Sequence, residues 1–211
     1  MYKLYGSQGS GSAAVEAAMA IAGVDCALVE AATWSPGPGL DELRRINPLA
    51  QIPTLVAPDG SILTESAAIL IHLGLEFPGC GLLPASAAAQ AQAIRGLVYI
   101  AANCYAMIGV IDYPERLCAD ADEALRERLR DGARHRLHAL WDAFVDQFPA
   151  TPFLGGAAPG ALDVLAAVVS RWSGARPHLA QTRPRFADLL QRIDTTPRIA
   201  AIFQRHWPAD A

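Results

Sequence analysis

The sequence predicts a fold in two parts, an α/β half followed by an all-helical half. Three observations predict it. Short strand-like and helix-like segments alternate as far as Glu76. From about Ala87 onward every periodic segment is helical and none is a convincing strand. Between the two lies Gly79–Ser86, which carries no periodicity and follows the Pro78-Gly79 break. A change from mixed to purely helical patterning within one chain argues for two layers of different architecture.

The elements follow in order. Lys3–Tyr5 is a short strand, followed by the small-residue loop Gly6-Ser7-Gln8-Gly9-Ser10-Gly11. Ser12–Ala22 is a helix with Val15, Ala18, Met19 and Ala22 on one face, and Gly23 is its C-cap. Asp25–Glu30 is a second strand, reached by a parallel crossover. After the Pro/Gly-rich loop Thr33–Gly39, Leu40–Ile46 is a short helix that stops before Asn47-Pro48. Thr54–Ala57 and Ser61–Leu63 are strands joined by the turn Pro58-Asp59-Gly60. Glu65–Glu76 is the next helix, closed by Pro78-Gly79. This order, βαβ, then a helix, then ββα, matches a thioredoxin-like domain. The expected organisation is therefore a thioredoxin-like domain at 1–78, a linker at 79–86 and a C-terminal helical bundle at 87–211.

Composition narrows the function classes. Hydrophobic residues make up 52% of the 211 and charged residues 18%, a balance that suits packed helices rather than a disordered chain. The net charge is -4 and no basic patch stands out, which argues against nucleic acid as a partner. The arginines between Arg126 and Arg136 alternate with acids, as on a solvated helix face. No uninterrupted apolar stretch looks long enough to span a bilayer, and no secretory leader precedes the first strand, so no membrane partner is expected and the cytoplasm follows by default. Cys26, Cys80, Cys104 and Cys118 lie far apart, as buried free thiols do. The five histidines show no metal-ligand spacing, and no metal is expected.

Two segments carry chemistry. In Asn47-Pro48-Leu49-Ala50-Gln51-Ile52-Pro53-Thr54-Leu55, a proline stands just before an apolar strand, where it cannot donate to a ladder. With a cis bond at Pro53, the N–H and C=O of Ile52 are free to pair with an extended peptide; with a trans bond, Pro53 simply opens the strand. In Thr64-Glu65-Ser66-Ala67-Ala68, a helix opens directly after a hairpin. Its amides and the Ser66 hydroxyl suit a carboxylate, and Glu65 suits an ammonium, although plain capping uses the same residue types.

Taken together, these segments resemble the glutathione transferases. The run from Asn47 to Leu73 looks like that family's glutathione-site signature, with the cis-proline loop and the Glu-Ser helix start in order. The resemblance implies the glutathione transferase fold. It places Ile52 and Pro53 against the cysteinyl backbone of glutathione, with Gln51 nearby, and Glu65 and Ser66 at the γ-glutamyl end. For the glycine end, Trp34, Arg44 and Arg45 are candidates. Glutathione enters as co-substrate, with no other cofactor, and a homodimer is expected.

The loop Gly6–Ser12 occupies the place where the family carries its catalytic Tyr, Ser or Cys. A helix N-terminus lowers a thiol pKa, and a nearby hydroxyl can donate to the sulfur. Ser10 and Ser7 lead, Ser12 is third and Tyr5 stands outside them; each serine is equally suited to bracing the loop. Cysteine is absent from this loop, which argues against disulfide exchange by a protein thiol there.

In the helical half, Asn103, Tyr105 and Met107 lie on a helix that in relatives faces the cleft, and would form the pocket for a small hydrophobic electrophile. Gly160-Ala161-Leu162-Asp163 stands where relatives pair Ser or Thr with this Asp in a capping box. Glycine supplies no side-chain oxygen, so the departure is expected to cost local stability. The implied activity is attack of the glutathione thiol on an electrophile. The alternatives are a binding or regulatory protein without efficient turnover, and a glutathione-dependent reductase, peroxidase or isomerase.

Overall fold

The computed structural model describes residues 1–208. The α/β half runs β1 (Tyr2–Gly6), α1 (Ser12–Ala22), β2 (Cys26–Glu30), α2 (Pro38–Ile46), β3 (Thr54–Val56), β4 (Ile62–Leu63) and α3 (Ser66–Glu76). The strands form one sheet in the order β2-β1-β3-β4. β1 and β2 are parallel, with Tyr2 opposite Cys26, while β3 is antiparallel to both β1 and β4. This is a thioredoxin-like domain.

Local chemistry accounts for these elements. Gly23 ends α1 in the left-handed region at φ 69°, where glycine has no Cβ penalty. Pro38 opens α2 at a position that needs no N–H donor. The helix starts two residues earlier than the sequence suggests. Between β3 and β4, the amide of Gly60 donates to the Ala57 carbonyl at 2.9 Å, with Gly60 at φ 88°.

The helical half comprises α4 (Ala87–Tyr99), a π-helical segment at Ile100–Tyr105, α5 (Ala106–Asp112), α6 (Glu123–Gln147), α7 (Ala161–Val169), α8 (Ala175–Thr182), α9 (Pro184–Asp194) and α10 (Pro197–His206). All nine residues of α7 are buried, and the helix packs on α1, α3, α4 and α9. One apolar core therefore runs from Leu4 and Val15 of the α/β half to Trp141 and Phe144 of the helical half. The segment expected as a linker takes part in this packing, because Leu82 and Leu83 are buried and the Leu82 carbonyl accepts from the Ala161 amide at 2.8 Å.

Asp163 ties the start of α7 together. Its carboxylate accepts from the amides of Leu154, Gly155 and Gly160 at 2.8, 2.7 and 2.9 Å. Burial nevertheless pushes its pKa up to about 6, with the three amides working in the opposite direction. Gly160 is not a defective cap. A Cβ there would lie 2.8 Å from the Leu82 carbonyl oxygen, so the approach of the connecting segment requires glycine.

Two further expectations meet the structure. The arginine-rich face of α6 is a solvated ion-pair face: Arg130 bonds Glu123 at 2.6 Å and Glu127 at 3.0 Å, and Arg134 bonds Asp131 at 2.7 Å. The expectation of no bilayer-length apolar stretch needs correcting, since the 26 continuous helical residues Ala87–Asp112 are long and apolar enough by length and composition. Alanine supplies much of that apolarity, and Arg95 interrupts it. In the fold this helix packs against α6 and α7.

Candidate active site

A cleft of about 670 Å³ opens between the two halves. Four loops of the α/β half form one wall, contributing Ser10 and Gly11 before α1, Trp34 before α2, Gln51, Ile52 and Pro53 before β3, and Glu65 and Ser66 at the start of α3. The opposite wall contributes Tyr105, Asp112, Tyr113, Arg116 and Trp172.

The proline loop is held by one buried side chain. Asn47 donates to the Gln51 carbonyl at 3.1 Å and to the Thr54 hydroxyl at 3.0 Å, and accepts from the Leu49 amide at 3.0 Å. Thr54 in turn donates to the Gln51 carbonyl at 2.8 Å. The Ile52–Pro53 peptide is cis, and neither the N–H nor the C=O of Ile52 has a hydrogen-bond partner among the described residues.

Glu65 is not the first residue of α3, as the sequence suggests, but stands before it with φ 64°. A non-glycine residue in that region carries backbone strain of about 1–3 kcal/mol, a feature that concentrates at functional sites. The first intrahelical bond runs from the Ile69 amide to the Glu65 carbonyl at 3.0 Å. The amides of Ser66, Ala67 and Ala68 therefore lie ahead of it, unpaired within the helix. The Glu65 carboxylate is exposed, with no side-chain partner among the described residues.

The serines of the first loop bond to one another. Ser10 Oγ donates to the Ser7 carbonyl at 2.7 Å, lies 3.0 Å from Ser12 Oγ, and accepts from the amides of Ser7 and Ser12 at 3.3 Å. Its one proton is committed to a carbonyl. Ser12 is fully buried beneath it, and Ser7 lines a separate, smaller cavity beside Glu16 and His206. Of the three serines, only Ser10 reaches the cleft. Tyr5 does not, being packed with Ala31, Leu40 and Leu43 under α2.

On the helical wall, the expected trio separates. Tyr105 lines the cleft, while Asn103 and Met107 do not. The lining residues are Ala101, Tyr105, Ala106, Ile108, Gly109, Asp112, Tyr113 and Arg116, a helical stripe. At about 100° per residue, Asn103 and Met107 fall on the side of the helix opposite this stripe. Asn103 bonds back to the Tyr99 carbonyl at 3.1 Å, and Met107 packs on the core. The same stripe reveals Asp112, Tyr113 and Arg116, which sequence reasoning missed although the 3.6 period from Tyr105 points to the first and last of them. Trp172 comes from a distant segment and stacks at a tilt on Tyr105, with ring centroids 5.6 Å apart. Arg116 lies 3.8 Å over the Tyr113 ring.

Burial pushes the Tyr105 hydroxyl up to about 12, helped by the charges of Asp112 and Glu65. Burial likewise raises Asp112. Of the glycine-end candidates, Trp34 lines the cleft mouth, whereas Arg44 and Arg45 do not, and Arg44 is paired with Asp41 at 3.4 Å. Among the described residues no cluster of His, Cys, Asp and Glu could hold a metal ion.

A thioredoxin-like domain with a cis-proline loop, set against an all-helical half across a cleft, is the architecture of the glutathione transferases. Residues 12–75 match the family model described as glutathione S-transferase, N-terminal domain. Over 208 residues the chain is 26% identical to the uncharacterized GST-like protein YncG of Escherichia coli (strain K12), covering 98% of each. The solved glutathione transferase from Methylococcus capsulatus strain Bath is 25% identical, with a TM-score of 0.78 over 98% of each chain. A glutathione transferase homologue from Sulfitobacter, solved with bound glutathione, shares the fold at a TM-score of 0.84 and 22% identity over 96% of each chain. Residues 12–75 thus carry the sequence pattern of the glutathione S-transferase N-terminal domain, and the chain as a whole shares the fold of the solved glutathione transferases.

Proposed function

We propose that this protein binds glutathione in the cleft and activates its thiol for conjugation to a small hydrophobic electrophile. The observation that carries this reading is the convergence of three peptide-binding features on one wall. These are the unpaired Ile52 backbone beside cis-Pro53, the amide-rich start of α3, and the free Glu65 carboxylate. Ile52 would pair with the cysteinyl unit as an added strand does. Ser66 and the α3 amides would take the γ-glutamyl carboxylate, and Glu65 its ammonium. Gln51 lies beside them, and Trp34 is placed for the glycine end. The facing wall, rich in aromatic rings, would take the electrophile. Solved relatives described as complexed with glutathione support the choice of ligand. The family resemblance of the sequence supports placing the enzyme in the cytoplasm as a homodimer, and the change to purely helical patterning supports a domain boundary in the 79–86 segment.

The committed Ser10 hydroxyl favours a second reading, a glutathione-binding protein without turnover. Calorimetry with glutathione on the wild type and Glu65→Ala, followed by conjugation of a model aryl halide, separates the readings. Loss of binding in the variant together with wild-type turnover supports the enzyme. Binding without turnover supports the second reading. Absence of wild-type binding at millimolar glutathione overturns both.

A further inference from the structure

The loop serines leave a question of chemistry. A thiol ionises more readily when donors face its sulfur, yet the Ser10 proton goes to the Ser7 carbonyl and Ser12 is buried behind it. Two donors that face the cleft near the start of α1 remain free among the described residues. The Gly11 amide has no hydrogen-bond partner among the described residues, and neither has the Tyr105 hydroxyl. These two groups lie together. A Cβ placed on Gly11 would sit 2.6 Å from the Tyr105 hydroxyl oxygen and 3.7 Å from Pro53 Cδ. Glycine at position 11 thus leaves room for a hydroxyl delivered from the other half of the molecule. The Trp172 ring fixes the tyrosine from one side.

We propose that Tyr105, not a loop serine, donates the side-chain hydrogen bond to the glutathione sulfur, with the Gly11 amide as its partner donor. This rests on the glutathione-binding reading above. Tyr105 keeps its proton at neutral pH, as its burial and acidic neighbours require, so it acts as a donor and not as a base. On binding, the thiol proton leaves to water and the thiolate is held by the two donors. The sulfur lone pair then forms the new bond to the electrophilic carbon, and the leaving group departs with its electron pair.

The test uses the full chain and glutathione itself. Thiolate absorbance of the bound peptide is titrated against pH in the wild type and Tyr105→Phe, with affinity measured separately by calorimetry and folding by thermal melting. Expected for Tyr105→Phe is binding within about threefold of wild type, a bound-thiol pKa raised by about one to two units, and kcat/KM lowered roughly ten- to a hundredfold, as suits one lost bond to a charged group. Gly11→Ala supplies a second arm. The added methyl displaces the hydroxyl, so it should lower kcat/KM in the wild type. It should do little in the Tyr105→Phe background, where the ring carbon Cζ stands at an ordinary 3.6 Å. A Tyr105→Phe protein that binds glutathione with an unchanged thiol pKa and kcat/KM overturns this assignment alone. A wild type that binds no glutathione overturns the reading beneath it as well.

Discussion

The backbone amide of Gly9 donates to Nδ1 of His206 at 3.1 Å, across 197 positions of sequence. An amide can only donate, so Nδ1 is the accepting nitrogen, and Nε2 carries the hydrogen it gives to Glu16 Oε1 at 2.7 Å. Arg205 pairs with the other Glu16 oxygen, and its carbonyl accepts from the Gln8 side chain at 3.1 Å. The loop that opens α1 is thus braced from behind by α10, on the side away from the cleft.

Removing the imidazole should therefore be felt in two places. His206→Ala leaves the buried Glu16 carboxylate with only the Arg205 partner and the Gly9 amide with none. Losing a hydrogen bond to a buried charge costs about 1.5–3 kcal/mol, and the remaining arginine keeps the carboxylate partly paired. Urea unfolding measures the stability. Glutathione titration of the folded variant measures the loop, with a loss of affinity expected.

Glu16 also sets an acid limit. Burial works to raise its pKa, but the bond from His206, and then the bond and charge of Arg205, outweigh burial and hold the carboxyl below its ordinary 4.5. A lowered folded-state pKa means that the unfolded chain binds the proton more readily. The contribution is complete above about pH 4.5 and is lost as pH falls through the lowered value. Urea midpoints measured from neutral pH downward should fall more steeply for the wild type than for Glu16→Gln. Parallel curves would remove the carboxylate from the account.

Asn47→Ala should loosen the proline loop without touching the ligand. The variant loses two donated bonds and one accepted bond at a site where Asn47 is only 4% exposed. About 1–3 kcal/mol of stability should go with them. A roughly tenfold weaker glutathione affinity should accompany the loss, of the order of one or two hydrogen bonds. Stability lost with affinity intact would show that Ile52 holds its place without Asn47.

Gly160→Ser restores the residue type that relatives use as a cap, yet it should destabilise. The new Cβ would meet the Leu82 carbonyl at 2.8 Å and that of Gly81 at 3.2 Å. Overpacking against backbone costs about 1–3 kcal/mol, more than the few tenths of a kcal/mol that a serine cap gains over glycine. A raised melting temperature would contradict this.

What the sequence discloses follows the range of the interactions involved. The bounds of α1 are legible because its apolar spacing and Gly23 are both local, and the hairpin is legible from Pro58-Asp59-Gly60. The cleft wall from the α/β half is legible for the same reason. Glu65 is misplaced by one residue, since nothing in its type announces a positive φ. On the helical wall, a spacing of every second residue reaches Tyr105 but not Asp112, because a helix turns the same face outward every third or fourth residue. A serine's type reveals a hydroxyl but not where its proton points, and that alone separates Ser10 from a free donor. The link from Gly9 to His206 leaves no local trace at either end.

That link also has a consequence for the order in which the protein is made. Synthesis delivers the loop at Gly9 long before it delivers His206, so the nascent chain holds every strand of its sheet while the loop still lacks its brace. The turn ahead of α1 is thus braced only after α10 has been made, long after the sheet that carries it is complete.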